Sequence, residues 1–440
     1  MKIILLFGAG KSATVLIQYL LEKAPTMDWN LLVADTDLAL INQKIAGNPR
    51  GLALCMDVKN ATERENAIAK ADLVISLLPP SLHILVARGC LKFNKHLFTA
   101  SYLDKEVEQL EPEIRNKGLL FLYEMGLDPG IDHMSAMAIL DKIKSSGGTI
   151  KSFVSHCGGL VAPQSDTNPW HYKISWNPAN VVAAGKQGAL YKQDKAIIEW
   201  PYENIFDQIR TVEIENAGTL AWYPNRNSIP YISLYRLDEA ETFSRTTLRH
   251  PAFMKGWKKM IQLGLTKDNP VSTYAAKHPV DIIFQMLTAN GQIGQYQHWL
   301  KEDPLFKEQV MHLGLQSTSY ELKKVEYSPA SLIQELLESA LKMVDTDQDR
   351  VIMQHEIHYR LNAKDHYLVS SLVLDGKNAA ETAMAKTVGL PLAIAATLFL
   401  QNKIDLLGLQ RPLSPKLYQQ VLPALAKEGV LFTEREKVIN

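Results

Sequence analysis

An α/β fold follows from three observations: a doubly wound parallel sheet joined to a second α/β domain with a mixed sheet and a helical insertion. Over residues 1–127, short continuous apolar runs alternate with segments whose apolar residues recur at helical spacing. A glycine-rich turn, Gly8-Ala9-Gly10-Lys11-Ser12-Ala13, joins the first such run to the first such helix. Beyond residue 128 several runs alternate polar and apolar residues, while 256–350 carries aromatics and leucines at i, i+3, i+4 intervals.

In chain order, Lys2–Phe7 reads KIILLF, the pattern of a strand buried on both faces. Strand, G-x-G-x-x-A and helix together form a dinucleotide-binding arrangement. Gly8 permits the tight turn, Gly10 lets backbone approach a pyrophosphate, and small Ala13 lets the helix sit close to the sheet. The N–H groups and dipole at the helix start favour phosphate. The second run, NLLVAD, ends at Asp35, 25 residues after Gly10. A carboxylate there accepts the ribose hydroxyls of NAD and repels the extra phosphate of NADP, so NAD is the expected cofactor. The other reading of Asp35 is a surface carboxylate opening the next turn. Runs GLALCMDV, ADLVISLLPP, HLFTASYL and LLFLYEM complete the alternation and predict a Rossmann domain over 1–127. Asp57 and Leu78 stand at the ends of two of these runs, where the riboses of such cofactors lie. There is no P-loop pattern, which speaks against nucleotide hydrolysis.

LLFLYEM then meets the helical HMSAMAILDKIK through 123–133, Y-E-M-G-L-D-P-G-I-D-H. Gly126, Pro129 and Gly130 provide the backbone freedom and fixed φ of a sharp strand-to-helix passage. Asp128 and Asp132 at this corner either face the crevice beyond the strand ends or cap the helix. Later strand candidates are TIKSFVSHCGGL, AIIEW, RTVEIENAGTLAWY, AETFSRTTLR, RVIMQHEIHYRL and HYLVSSLVLDG. They predict a mixed or antiparallel sheet in a substrate domain over 128–255 and 351–379, interrupted by a helical insertion at 256–350. The tail, 380–440, is expected to be helical and to pack back on the first domain.

A chain of 440 residues, 46% hydrophobic, is long enough for two or three cored domains. Zero formal net charge and the lack of a polybasic run argue against nucleic-acid binding. Cys55, Cys90 and Cys157 are far apart and odd in number, which suits a reducing cytoplasm and offers no metal spacing. The apolar run 390–400 contains a proline and is short for a bilayer, and MKIILLFGAG is followed by no cleavage site. The expectation is a soluble cytoplasmic homodimer acting on a small molecule, without metal, membrane or nucleic acid.

Several polar residues stand near strand ends. Arg226 lies in the turn-rich YPNRNSIP and Arg249 closes TTLR, and an arginine fork suits a carboxylate held bidentately. A surface ion pair is the alternative for each. Ser101 and Tyr102 end HLFTASY, although such a tyrosine also reads as a core aromatic with a wet hydroxyl. Cys157 reads as a small buried hydrophobe, and His133 and His156 as structural hydrogen-bonding residues.

The segments GAGKSA, DLVISLLPPSLH, TASY, EMGLDPGIDHM, SHCGGLVAPQSDTNPWHYKISWNP, YPNRNSIPY, TLRHPAF and AMAKTVGLPLAIA carry a resemblance. Over nearly its whole length the chain resembles the saccharopine dehydrogenases of the L-glutamate-forming type, also called saccharopine reductases. The resemblance implies a cofactor side of Gly8, Gly10, Lys11, Ser12, Asp35, Asp57, Val58 and Leu78. It implies a substrate side of Ser101, Tyr102, Asp128, Cys157, Trp176, Arg226, Thr247 and Arg249; of these, Asp128 at the corner and Tyr102 and Cys157 at strand ends are the expected catalytic residues. Fungal NADP-using relatives place an arginine just past the second strand, where this chain reads Asp35-Thr36-Asp37; that again favours NAD. The Arg226 loop reads N-R-N-S where relatives usually have N-R-D-S.

The implied reaction is NAD(P)-dependent interconversion of saccharopine with L-glutamate and 2-aminoadipate 6-semialdehyde, in lysine metabolism. A carboxynorspermidine dehydrogenase-like enzyme is the alternative within the class. A nucleotide-binding scaffold without turnover is the alternative outside it, and the set Asp128, Tyr102, Arg226 and Arg249 speaks against a scaffold.

Overall fold

The computed structural model describes residues 1–268 and 274–439. Residues 269–273, inside the expected helical insertion, lie outside the described residues. The chain forms two compact units, Met1–Thr149 with Ala380–Phe432, and Ile150–Ala379 with Thr433–Asn440.

The first unit contains β1 (Lys2–Phe7), β2 (Trp29–Asp35), β3 (Gly51–Cys55), β4 (Leu73–Ser76), β5 (His96–Thr99) and β6 (Leu120–Leu122). They lie in the order β3-β2-β1-β4-β5-β6, all parallel, and Gly408–Gln410 adds a further parallel strand beside β6. The order reverses at β1, and each parallel neighbour is reached by a crossover, most of which carry helices. Two runs are shorter as strands than as apolar patterns. HLFTASYL stops pairing at Thr99 and GLALCMDV at Cys55, so Ser101, Tyr102, Asp57 and Val58 stand in the loops beyond. α1 (Thr14–Met27) packs against the helix Ala383–Leu400. That helix is longer than the run 390–400 indicates: its 18 residues are long and apolar enough to cross a membrane by length and composition. In this unit, however, 72% of it is buried, the environment of a core helix.

The second unit holds a mixed sheet in the order 210–214, 218–224, 242–249, 149–161, 349–361, 364–375, 433–439, with three further short strands alongside. RTVEIENAGTLAWY, expected as one strand, is an antiparallel hairpin of Arg210–Ile214 and Gly218–Pro224. Asn216 (φ 62°) and Gly218 (φ 74°) adopt the left-handed conformation that reverses the chain. The tail also differs from the helical expectation. Besides helices Ala383–Leu400 and Pro415–Lys427 it supplies Gly408–Gln410 to the first sheet and Thr433–Ile439 to the second. Three residues are too few for a periodicity, and TEREKVI is exposed throughout, so neither strand carries an apolar signature. Helices lie between the strands, and Pro251, Pro279, Pro304 and Pro329 each occupy a first turn, where a missing N–H costs nothing. Their core gathers Trp170, Phe253, Trp257, Met286, Phe306 and Leu336, all at most 1% exposed.

The corner after β6 is packed backbone against backbone. Gly130 precedes the helix Ile131–Ser145 at φ 148°, and a Cβ there would overlap the backbone nitrogen and carbonyl of Gly126. Gly130→Ala should therefore lower unfolding stability by about 3 kcal/mol or more. A shift of the urea midpoint with unchanged slope would register the loss; an unmoved midpoint would show that the corner relaxes freely.

Candidate active site

The glycine turn is held at both ends. Gly8 has φ 98°, and a Cβ on it would meet the Leu77 carbonyl oxygen at 2.9 Å. Its N–H donates to the Ala34 carbonyl (2.9 Å), and the Ala9 N–H donates to Asp35 Oδ2 (2.7 Å). The Asp37 N–H donates to Asp35 Oδ1 (3.2 Å), so both carboxylate oxygens are engaged within the chain. Gly10 faces open space where a side chain would project, and the turn Lys11–Ala13 leads into α1. This cradle fits a pyrophosphate. The Lys44 ammonium, from the helix Leu38–Ile45, donates to the Gly10 carbonyl beside Asp35. Burial lowers its pKa to about 8, against the opposing pull of Asp35. Leu78 flanks Gly8, its amide nitrogen 3.5 Å from the Cβ direction. Asp57 is exposed and accepts from the Lys59 N–H (2.9 Å), while Val58 is buried with its carbonyl held by Arg64 (2.5 Å).

The loops after β5 and β6 meet through Tyr102, whose hydroxyl donates to Asp128 Oδ1 (2.8 Å). The Asp128–Pro129 peptide bond is cis. Gly130 occupies the cap position of the following helix, and Asp132 Oδ1 accepts its N–H (2.6 Å). Ser101 carries a chain that residue patterns did not single out. Its Oγ bonds His83 Nε2 (2.6 Å), and His83 Nδ1 bonds Ser76 Oγ (2.9 Å) at the end of β4. Burial lowers the His83 pKa to about 4, so the ring is neutral and one hydroxyl donates to it while the other accepts. The signal was the histidine of DLVISLLPPSLH, which opens the helix His83–Lys92.

In the second unit, Cys157 is buried and lies in register with Thr247, which itself faces Tyr223. Arg249 is 4% exposed; its Nη1 donates to the Leu248 carbonyl (2.8 Å), and its Nε has no hydrogen-bond partner among the described residues. The guanidinium lies over Tyr172 (5.4 Å) and Phe253 (5.6 Å), and the Tyr172 hydroxyl accepts from Trp176 Nε1 (2.8 Å). Trp176 and Arg249 are thus linked through Tyr172, which residue patterns missed. Arg226 is exposed at φ 53°, where Arg226–Asn227 pairs with Ala189 and Leu190. His156 is buried and bonds Thr246 Oγ1 (2.6 Å).

Residues 126–430 match the family described as saccharopine dehydrogenase C-terminal domain, and residues 4–122 that described as saccharopine dehydrogenase NADP binding domain. The chain belongs to the saccharopine dehydrogenase family. The Saccharomyces cerevisiae saccharopine dehydrogenase (NADP(+), L-glutamate-forming) is 31% identical, covering 99% of each chain. The Arabidopsis thaliana alpha-aminoadipic semialdehyde synthase is 32% identical over 93% of this chain, which spans 41% of that longer protein. The apo structure of the yeast saccharopine dehydrogenase (L-Glu forming) aligns over 100% of both chains with a TM-score of 0.83 at 28% identity.

These findings overturn the expected preference for NAD. The cofactor they support is NADP, because the matched family domain is NADP-binding and the fungal relatives are NADP(+) saccharopine dehydrogenases. The physical reason lies at Asp35. Each of its oxygens accepts one backbone N–H, from Ala9 and from Asp37, and the Lys44 cation stands beside it to offset its charge.

The buried His83 sets a pH dependence. Its folded pKa lies below the unfolded value near 6.5, so as pH falls from about 6.5 to 4 the unfolded chain takes up the proton first and stability drops. His83→Gln should lack this loss, which is about 2–3 kcal/mol at the acid end of that window. Urea unfolding of both proteins at a neutral and an acid pH measures the difference; parallel losses would place the pKa elsewhere.

Proposed function

We propose that this member of the saccharopine dehydrogenase family catalyses the NADP-dependent interconversion of saccharopine with L-glutamate and 2-aminoadipate 6-semialdehyde. The observation that carries the substrate is Arg249. A buried guanidinium held by one carbonyl and two aromatic faces is costly unless an anion completes it, and saccharopine brings three carboxylates. Arg226 is the second carboxylate-binding residue in this reading, with Trp176, Thr247 and Ser101 lining the substrate.

Bound NADP supplies the hydride acceptor, held by Gly8, Gly10, Lys11, Ser12, Asp57, Val58 and Leu78, with Asp35 pinning the turn and Lys44 offering a cation to the 2′-phosphate. Asp128, oriented by the Tyr102 hydroxyl, takes the proton of the secondary ammonium, so that the freed amine can expel hydride from the neighbouring carbon and leave a protonated imine. It passes that proton to solvent and then takes one from the water adding to the imine carbon. Tyr102 hydrogen-bonds the resulting carbinolamine hydroxyl, and Cys157 supports it. Collapse breaks the C–N bond: Asp128 returns its proton to the nitrogen, which leaves as the amine of glutamate, while the hydroxyl proton goes to solvent and the carbon becomes the semialdehyde. Each step moves a proton, the work of a positioned acid–base pair. The free state of all three cysteines supports a reducing, cytoplasmic setting. We read the enzyme as a homodimer, which sedimentation equilibrium checks.

Formation of reduced nicotinamide on adding saccharopine and NADP(+) tests the reading directly; cofactor binding without turnover would favour the scaffold. Arg249→Ala and Arg226→Ala should each raise the saccharopine KM by about 30-fold or more, with NADP(+) affinity little changed. A normal KM in both would return these arginines to structural roles. Asp128→Ala should lower kcat by roughly 10²–10⁴.

In a cofactor titration, Lys44→Ala should weaken NADP(+) by about tenfold while leaving NAD(+) affinity unchanged. Equal losses for both cofactors would confine Lys44 to holding the glycine turn.

A further inference from the structure

Glu124 follows β6 and is 1% exposed. A carboxylate buried so deeply costs several kcal/mol unless its oxygens are paired. Here both are. Oε2 accepts from His133 Nε2 (2.9 Å), while Oε1 accepts from Arg411 Nε (2.9 Å) and from the Leu103 N–H (3.2 Å). Burial alone raises the pKa, but the hydrogen bond to His133 and the Arg411 guanidinium outweigh it and hold it at about 2. The carboxylate is therefore ionised throughout the working pH range.

The backbone of this residue is as constrained as its side chain. Glu124 has φ 59°, a left-handed conformation that disfavours any residue with a Cβ by about 1 kcal/mol. Its N–H donates to the Ser101 carbonyl (3.0 Å), and the next N–H, of Met125, donates to the Thr99 carbonyl (3.0 Å). Glu124 thus grips the chain on both sides of Tyr102: the Ser101 carbonyl before it and the Leu103 amide after it. The same chain runs on from Glu124 to the corner bearing Asp128, and His133, in the first turn of the helix beyond, returns to the carboxylate. Both partners of the 2.8 Å hydroxyl–carboxylate bond are referenced to one buried charge. Arg411 arrives from the tail just after Gly408–Gln410, is also paired with Glu108 (3.0 Å), and stands beside Gln410, whose carbonyl accepts the Tyr123 N–H (2.9 Å).

We propose that Glu124, with Arg411 as its counter-ion, is a positioning residue that holds the Tyr102 hydroxyl and the Asp128 carboxylate in reacting geometry. The proposal rests on the reading of Tyr102 and Asp128 as the proton-handling pair. Misplacing a catalytic group by a fraction of an ångström costs catalysis without weakening ground-state binding, so the effect belongs in kcat.

The test is a double-mutant cycle on kcat with saccharopine and NADP(+), using Glu124→Gln, Asp128→Ala and the double variant. Urea unfolding of each variant runs alongside. Glu124→Gln keeps the shape and removes the charge. It should lower kcat by about 10- to 100-fold, with saccharopine KM and NADP(+) affinity changed less than about threefold. In the Asp128→Ala background the same change should cost almost nothing further, because the group it positions is gone. Should Glu124→Gln fail to fold, Arg411→Ala takes its place in the cycle, and Arg411→Lys should recover part of the lost kcat. Penalties that multiply across the cycle, or a destabilised protein with normal kcat, overturn the positioning role and leave Glu124 a structural charge. Normal kcat in Asp128→Ala alone would instead overturn the underlying assignment of the pair, and the proposal with it.

Discussion

Every strand of the first sheet runs in the same direction, so every loop that follows a strand opens at one edge. The rest of the site depends on this constraint. Gly8 after β1, Asp35 closing β2, Asp57 after β3, Leu78 after β4, Tyr102 after β5 and Glu124 after β6 come from segments spread over more than a hundred residues. Parallel hydrogen bonding alone places their loops along a common rim. Gly408–Gln410 extends the same rim, which is how Arg411 comes to face Glu124.

Charge at that rim is handled in two ways. Asp35 and Glu124 have both oxygens engaged from within the chain: the first by the Ala9 and Asp37 amides, the second by His133, Arg411 and the Leu103 amide. Such carboxylates hold loops in place, and Glu124 has no oxygen left over for a ligand. Arg249 in the second unit is the opposite case, a buried cation whose Nε has no hydrogen-bond partner among the described residues and whose neighbours include two aromatic faces. A saturated charge organises backbone, and an unsaturated one asks for a partner. That contrast distinguishes the two kinds of buried charge more sharply than residue type does.

The glycine turn, the corner at 126–130 and the alternating runs were legible because each is local: positive φ, apolar continuity and helical spacing operate over a few residues. What failed to show was non-local. Asp35 stands where a cofactor-reading carboxylate belongs, yet its oxygens are occupied by Ala9 and Asp37, and a spacing does not reveal occupancy. His83 and Tyr172 lie inside recognisable segments, but their roles come from partners 18 and 77 residues away, Ser101 and Arg249. The strand Thr433–Ile439 has no buried face, so it has no pattern to read.

By itself the sequence determined the class of each unit, the dinucleotide turn and the family, because burial periodicity, obligatory glycines and motif density are written residue by residue. Only the tertiary structure decided which charges are spent. Whether a carboxylate is free for a ligand depends on which N–H groups and cations the fold brings within about 3 Å of it. For Glu124 the deciding partner, Arg411, lies 287 residues along the chain.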